Sequence, residues 1–492
     1  MPKDILTFTT PAAAGVSPAC VSAFLDDVRA RELALHSFIF LRHGKVFAEG
    51  YASPFKEGEF HRMYSVSKTF VSMAVGALIV EGKLSLDDKV ADFFPDKCPP
   101  DLHPWVKEAT VRDLLMMATP FTNQTYTPRD KDWAYTFFNT VPSHPAGTIF
   151  NYDTSGTYVL DVLVERLTGK PFLEYLKEKA LLEIGFSPKS TCVKAPEGIM
   201  WGGSGVLCSS RDLARLAVLV SRDGEFEGKQ LLPRDYVIAA KSKQIDNGPT
   251  SFINPLDGHG YGYQIWRIFE NGYGFIGMGG QLALTFPDKD FIAVFTGDMQ
   301  GHPTTYGGVF EVLKANVLDH LSDSPLDDDP AATAGMEKRI AAFDIPLPAG
   351  KKTSPYQEKV SGVSYKLIRN PMEITSFKLD LSEDEGVFRY QTSRGPRELK
   401  FGIGKYILTE FPEKNYSGDT IGKPLGRGYR TLAGASWRED HKLMLRVFLI
   451  DDYFGNLAVT FSFKGDDVGI SMYKTAEWFL DEYQGFAGGR KV

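Results

Sequence analysis

Cysteine is scarce in this 492-residue chain, and its four copies, Cys20, Cys98, Cys192 and Cys208, stand far apart with no C-x-x-C spacing. That pattern excludes a zinc ribbon and a disulfide framework and leaves reduced, buried thiols as the expectation. The nine histidines show no H-x-x-x-H pairing, so no metal site is expected. No run of 18 apolar residues is present, and the opening MPKDILTFTTPAAAGVSPAC lacks a basic segment leading into an apolar one. A cytoplasmic protein without a membrane segment is the expectation; the sequons at Asn123 and Asn415 would matter only in another compartment. Positive charge is not in excess either. The 55 Lys and Arg against 62 Asp and Glu give a net charge of −7, so nucleic acid is not an expected partner.

What remains is a globular composition, 43% apolar and 24% charged, in a chain long enough for two or three cores. Residues 22–31 have helical character, and 37–53 read as a hairpin turning at Arg42-His43-Gly44-Lys45. A mostly helical stretch runs to about residue 222, with helices expected at 111–117, 158–167, 172–180 and 211–220. Within it, 119–147 is irregular and rich in Pro, Thr and aromatics, including Tyr126 and Trp133; a substrate-facing wall is the expectation. From Tyr261 the pattern becomes an antiparallel meander, followed by a helix at 308–321 and the acidic, Pro-containing run 322–330. The fold class is therefore α+β. A helix-flanked antiparallel sheet with a helical subdomain occupies 1–325, a linker 326–362, and a small barrel-like antiparallel β-domain 363–492.

The chemistry begins at Ser65 and Lys68. Three residues apart, they share one face of a helix, so the amine can take the hydroxyl's proton. The following residues, VSKTFVSMAVGALIV at 66–80, are apolar nearly all round, which describes a helix buried in a core. Ser65 then sits near the unpaired N–H groups of the first turn, and burial pushes Lys68 towards the neutral form that a base needs. A second S-x-x-K, Ser471 to Lys474, follows an alternating segment and reads as a strand. The structural alternative for Ser65 is a plain helix N-cap.

Two further segments support a site. Tyr152 stands in a polar turn before an amphipathic helix, where its phenol could pass a proton and a neighbouring Lys⁺ would lower its pKa. Met278, Gly279, Gly280 and Gln281 open a strand whose glycines would admit a substrate carbonyl, leaving the N–H groups of Gln281 and Ser65 to hold an oxyanion. The formal G-x-G-x-x-G at 272–277 opens a strand rather than a helix, so no dinucleotide and no other cofactor is expected. His259, just before Tyr261, is a candidate substrate contact.

Serine with lysine, a tyrosine turn and a glycine strand, in that order, resemble the serine β-lactamase and penicillin-binding-protein superfamily. The likeness is to its class C-like branch of family VIII carboxylesterases, D-amino-acid peptidases and amide hydrolases. It covers roughly residues 10–322 and includes the landmarks Thr110-Val-Arg-Asp-Leu-Leu115, Gly202-Gly-Ser-Gly-Val-Leu207 and Tyr261-Gly262-Tyr263. The resemblance implies that Ser65 attacks a carbonyl, that Lys68 and Tyr152 manage the proton, and that an acyl-enzyme results. Two departures stand out: Thr154 replaces the usual Asn after the tyrosine, and Met278 replaces the usual Lys or His of the strand. Met cannot bind a carboxylate. The expected function is thus a serine hydrolase of a small uncharged ester. A D-amino-acid peptidase, an amidohydrolase or an acyltransferase are the alternatives on the same site, and a binding or sensor protein is the alternative outside enzymes. The β-domain could cap the crevice, bind a ligand or form a homodimer contact.

Overall fold

A computed structural model describes residues 3–248, 256, 258–269, 271–413, 421, 427–451, 454–475 and 480–492. Asn415, one of the two sequons, lies outside them. The chain divides into two compact units: one made of 1–31, 35–299 and 304–344, the other of 32–34, 300–303 and 345–492.

In the first unit the described residues form a seven-stranded sheet. Its order is Thr7–Phe8, Lys45–Tyr51, Leu35–Arg42, Phe291–Gly297, Gln281–Phe286, Gly272–Gly277 and Trp266–Ile268. Every residue of Leu35–Arg42 is buried, because both of its faces are covered. Side chains alternate along a strand, and here each set has its own helix. Phe38, Phe40 and Phe295 meet Phe24 of the helix Pro18–Ala30, whereas Ser37 bonds Ser210 and Thr296 at 2.6 Å on the side of the helix Ser210–Ser221. The expected hairpin is present, with His43 and Gly44 at its turn.

The helix Ser67–Val80 buries every residue from Ser67 to Leu78, as its all-round apolar sequence requires. Around it lie Thr154–Thr168, Phe172–Lys179 and Arg234–Ala240. The segment 119–147 is not irregular throughout: it contains the helix Trp133–Asn139, capped by Asp132. The first unit also extends beyond the acidic run. Asp329 caps a helix, Pro330–Ala341, that packs on Pro18–Ala30 and places Arg339 2.8 Å from Asp26.

The second unit has ten described strands, nine of which close into a barrel, while the tenth, Tyr406–Phe411, pairs along the edge of Tyr429–Glu439. Eight of the barrel's neighbouring pairs are antiparallel, and the ring closes through a parallel pairing of Gly395–Ile403 with Tyr429–Glu439 at Gly402↔Gly434 and Ile403↔Ala435. Inward positions carry Phe377, Phe388 and Phe461, whose rings pack at 5.0–5.9 Å. Ser471 and Lys474 lie on the strand Asp467–Thr475, where an odd separation sends side chains to opposite faces. Among the described residues, no helix is long and apolar enough to cross a membrane.

Candidate active site

A single 3-10 turn, Tyr64–Val66, leads into the helix Ser67–Val80 and carries Ser65 at its centre. Tyr64 has φ 46°, a left-handed conformation that costs a bulky residue about 1–3 kcal/mol. Its buried surroundings hold it there. The Arg62 guanidinium stacks over the Tyr64 ring at 4.6 Å and over Trp201 at 4.9 Å. The same guanidinium donates to Ser204 O and Ser204 Oγ, each at 3.0 Å.

Lys68 is 1% exposed, and its Nζ lies 3.0 Å from Ser65 Oγ and 2.6 Å from Gly203 O. The Ser65 side chain also hydrogen-bonds the Tyr152 phenol, and Lys68 Nζ stands 5.0 Å from the Tyr152 ring centre. The three groups therefore converge on one oxygen. Ser65 keeps partial access to solvent while Lys68 does not.

Tyr152 is aimed by its neighbours on both sides. Asp153 caps the helix Thr154–Thr168, accepting from Ser155 N and Thr119 Oγ1, both at 2.8 Å. On its other side the ring stacks on Trp266, 5.2 Å between centres and 27° between planes. Burial pushes the Tyr152 phenol above its ordinary pKa; hydrogen bonds with Ser65 and Trp266 oppose the rise and Tyr306 adds to it. The lowering expected from a nearby Lys⁺ is not found: desolvation is the largest influence on the phenol, and the groups that oppose it are Ser65 and Trp266. Thr154 is placed beside Gly203: a Cβ at 203 would stand 2.3 Å from the Thr154 methyl.

The glycine strand reaches the serine through Gly277. A Cβ on that residue would meet Met63 O at 2.4 Å and Ser65 N at 3.3 Å, so only glycine lets the two backbones lie flush. Gly279 (φ 80°) and Gly280 (φ 96°) turn the chain back. Gln281 pairs across the hairpin with Gly277. Its buried side chain donates to Met278 O at 3.0 Å and Gly297 O at 2.7 Å, which staples the turn. Gly277 is the strand residue that lies against the Ser65 backbone, and the half-buried Met278 follows it.

Three expected contacts fall elsewhere. Tyr126 and Trp133 stack at 4.0 Å and are buried with Trp201, whose indole donates to Tyr126 Oη at 2.9 Å; they form packing, not an open wall. Apolar area drew these rings inward. His259 lines a cavity of about 490 Å³ with Phe269, Gly272 and Lys314. That is the far end of the strand from Gly277, roughly 16 Å away at about 3.3 Å per residue. Trp266 and Tyr306 were not legible as site residues. Trp266 gave only a strand signal, and Tyr306 stands alone before a helix with no spacing that ties it to Tyr152.

A family model for beta-lactamase matches residues 21–304, more than half of the chain. The chain belongs to the beta-lactamase family. A 6-aminohexanoate-dimer hydrolase of Paenarthrobacter ureafaciens is 27% identical over 268 residues, covering 49% of this chain and 68% of that protein. Among solved structures, a putative 6-aminohexanoate-dimer hydrolase from Bacillus anthracis is similar over 58% of this chain and 78% of its own, with 21% identity and a TM-score of 0.49. An octameric penicillin-binding protein homologue from Pyrococcus abyssi covers 96% and 99%, with 16% identity and a TM-score of 0.49.

Proposed function

We propose that this beta-lactamase-family hydrolase works through an acyl-enzyme on Ser65 and cleaves a small uncharged ester. The observation that carries the reading is the convergence of Lys68 Nζ, at 3.0 Å, and the Tyr152 phenol on Ser65 Oγ. Lys68 takes the serine proton as Oγ attacks the carbonyl carbon. Tyr152, a neutral phenol held above its ordinary pKa, accepts a hydrogen bond or donates one without carrying charge, and relays the proton to the leaving oxygen. The Ser65 N–H and the backbone of the 277–281 hairpin flank the carbonyl oxygen, where donors stabilise developing negative charge. Water then attacks the acyl carbon, Lys68 and Tyr152 taking its proton, and Ser65 leaves as the alcohol.

Met278 supports an uncharged substrate, since no cation stands at the turn to meet a carboxylate. An amide is the second reading, favoured by the 27% identical relative named 6-aminohexanoate-dimer hydrolase. A fluorophosphonate probe followed by peptide mapping tests the shared mechanism: the adduct is expected on Ser65, and an adduct elsewhere overturns the reading. Parallel rates on p-nitrophenyl esters and on the matching anilides decide between ester and amide.

A further inference from the structure

Asp161 lies in the middle of the helix Thr154–Thr168, fully buried, in a run that is otherwise mostly apolar. Its Oδ2 accepts the Gly202 N–H at 2.8 Å. Its Oδ1 is buried with no hydrogen-bond partner among the described residues. For stability alone this is a poor choice, because a buried carboxyl with an unused oxygen costs more than an apolar side chain of the same shape. Its surroundings add nothing that would hold a charge. Glu165 one turn on, Glu197 from the loop before Trp201, Tyr158 and Cys192 are the titratable groups that interact with it, and burial drives its carboxyl well above the ordinary range.

The use of the residue is found one peptide further on. Gly202 is pressed against two helices: a Cβ there would stand 2.4 Å from Val71 and 2.9 Å from Asp161 Oδ2. The next carbonyl, Gly203 O, is the second acceptor of Lys68 Nζ. The one after, Ser204 O, is held by Arg62. The turn is thus tied at three successive residues, and Lys68 is one of the ties.

We propose that Asp161 is a positioning residue of the active site: by accepting the Gly202 N–H it fixes the turn whose Gly203 carbonyl holds Lys68 against Ser65. The role rests on the reading of Lys68 as the base. It also accounts for Thr154. The amide that would orient the lysine from that position is absent, its methyl packs on Gly203, and the lysine is oriented by a backbone carbonyl that needs an anchor of its own.

The test compares Asp161→Asn, which keeps the size and an acceptor oxygen, with Asp161→Leu, which keeps the size and removes it. The readout is the second-order rate of fluorophosphonate labelling across pH 5–10, with Lys68→Ala in parallel and thermal melts of each variant. Asp161→Asn is expected to label within about three-fold of the wild type, and Asp161→Leu about 10- to 100-fold more slowly with its acid limb displaced. Should Asp161→Leu not fold, Asp161→Ala is read in its place, the cavity adding no clash. A folded acceptor-less variant that labels at the wild-type rate with an unmoved pH profile overturns the proposal, as does an Asn variant as slow as the Leu one. The outcomes are separable: wild-type protein unlabelled at Ser65, or Lys68→Ala labelled normally, removes the functional reading itself.

Discussion

Thr154 and Gly203 interlock. The threonine methyl fills the space in which a side chain at 203 would begin, and the backbone carbonyl of 203 is left facing Lys68 at 2.6 Å. A residue that departs from the family's tyrosine turn is therefore built into the surroundings of the lysine. Gly203→Ala is expected to fold with a displaced turn and to lose about ten-fold or more in the rate of Ser65 labelling, because small errors in positioning are amplified in rate. Labelling kinetics beside a thermal melt measure this.

Removing the proton-handling groups separates their roles. Lys68→Ala is expected to lower ester turnover by about 10³-fold and Tyr152→Phe by about 10²-fold, within the range typical of a positioned acid or base. Steady-state kcat on p-nitrophenyl butyrate is the measurement. Equal turnover by wild type and Lys68→Ala would contradict the relay.

Gly277→Ala tests the flush contact between strand and serine. A Cβ 2.4 Å from Met63 O forces the strand outward, so kcat is expected to fall about 10- to 100-fold while far-UV circular dichroism stays native.

Met278→Lys places a cation at the turn. KM for an ester bearing a free carboxylate is expected to drop about five-fold relative to its methyl-capped analogue, the gain fading as salt rises. Paired KM measurements at low and high ionic strength report it.

Asp161 carries a pH signature in stability. Burial raises its carboxyl, so folded and unfolded states are both protonated below the unfolded value of about 3.9 and no penalty applies there. As pH rises past that value the unfolded chain ionises first, and the folded state loses stability up to its own raised pKa. Asp161→Asn, which cannot ionise, is therefore expected to melt at a higher temperature relative to the wild type at pH 8 than at pH 4. Differential scanning calorimetry at the two pH values checks the difference.

Much of this site was readable because its signal is local. The apolar run behind Ser65 and Lys68 marks a buried helix, although Ser65 itself stands in the 3-10 turn that leads into it. The hairpin at 42–45 follows from its turn residues. The remainder depends on partners distant in sequence. Nothing near Gly277 shows that its missing Cβ faces Met63, and nothing near Tyr152 shows that burial raises its phenol. The helix Trp133–Asn139 had a cap in Asp132, but the surrounding Pro and Thr masked it. The acidic run before residue 330 held its own start signal, Asp329 as cap with Pro330 at the first position, which reads as a linker only if charge outweighs capping.

The barrel of the second unit has nine described strands, and nine is odd. Strands that alternate in direction around a ring can close without conflict only when their number is even, so one neighbouring pair must run the same way. That pair is Gly395–Ile403 with Tyr429–Glu439, joined at two residue pairs where neighbouring antiparallel ladders have up to nine. Parity thus requires a same-direction seam in this cylinder, and here that seam stays short because the same edge of Tyr429–Glu439 gives its earlier residues, Tyr429 to Gly434, to the strand Tyr406–Phe411.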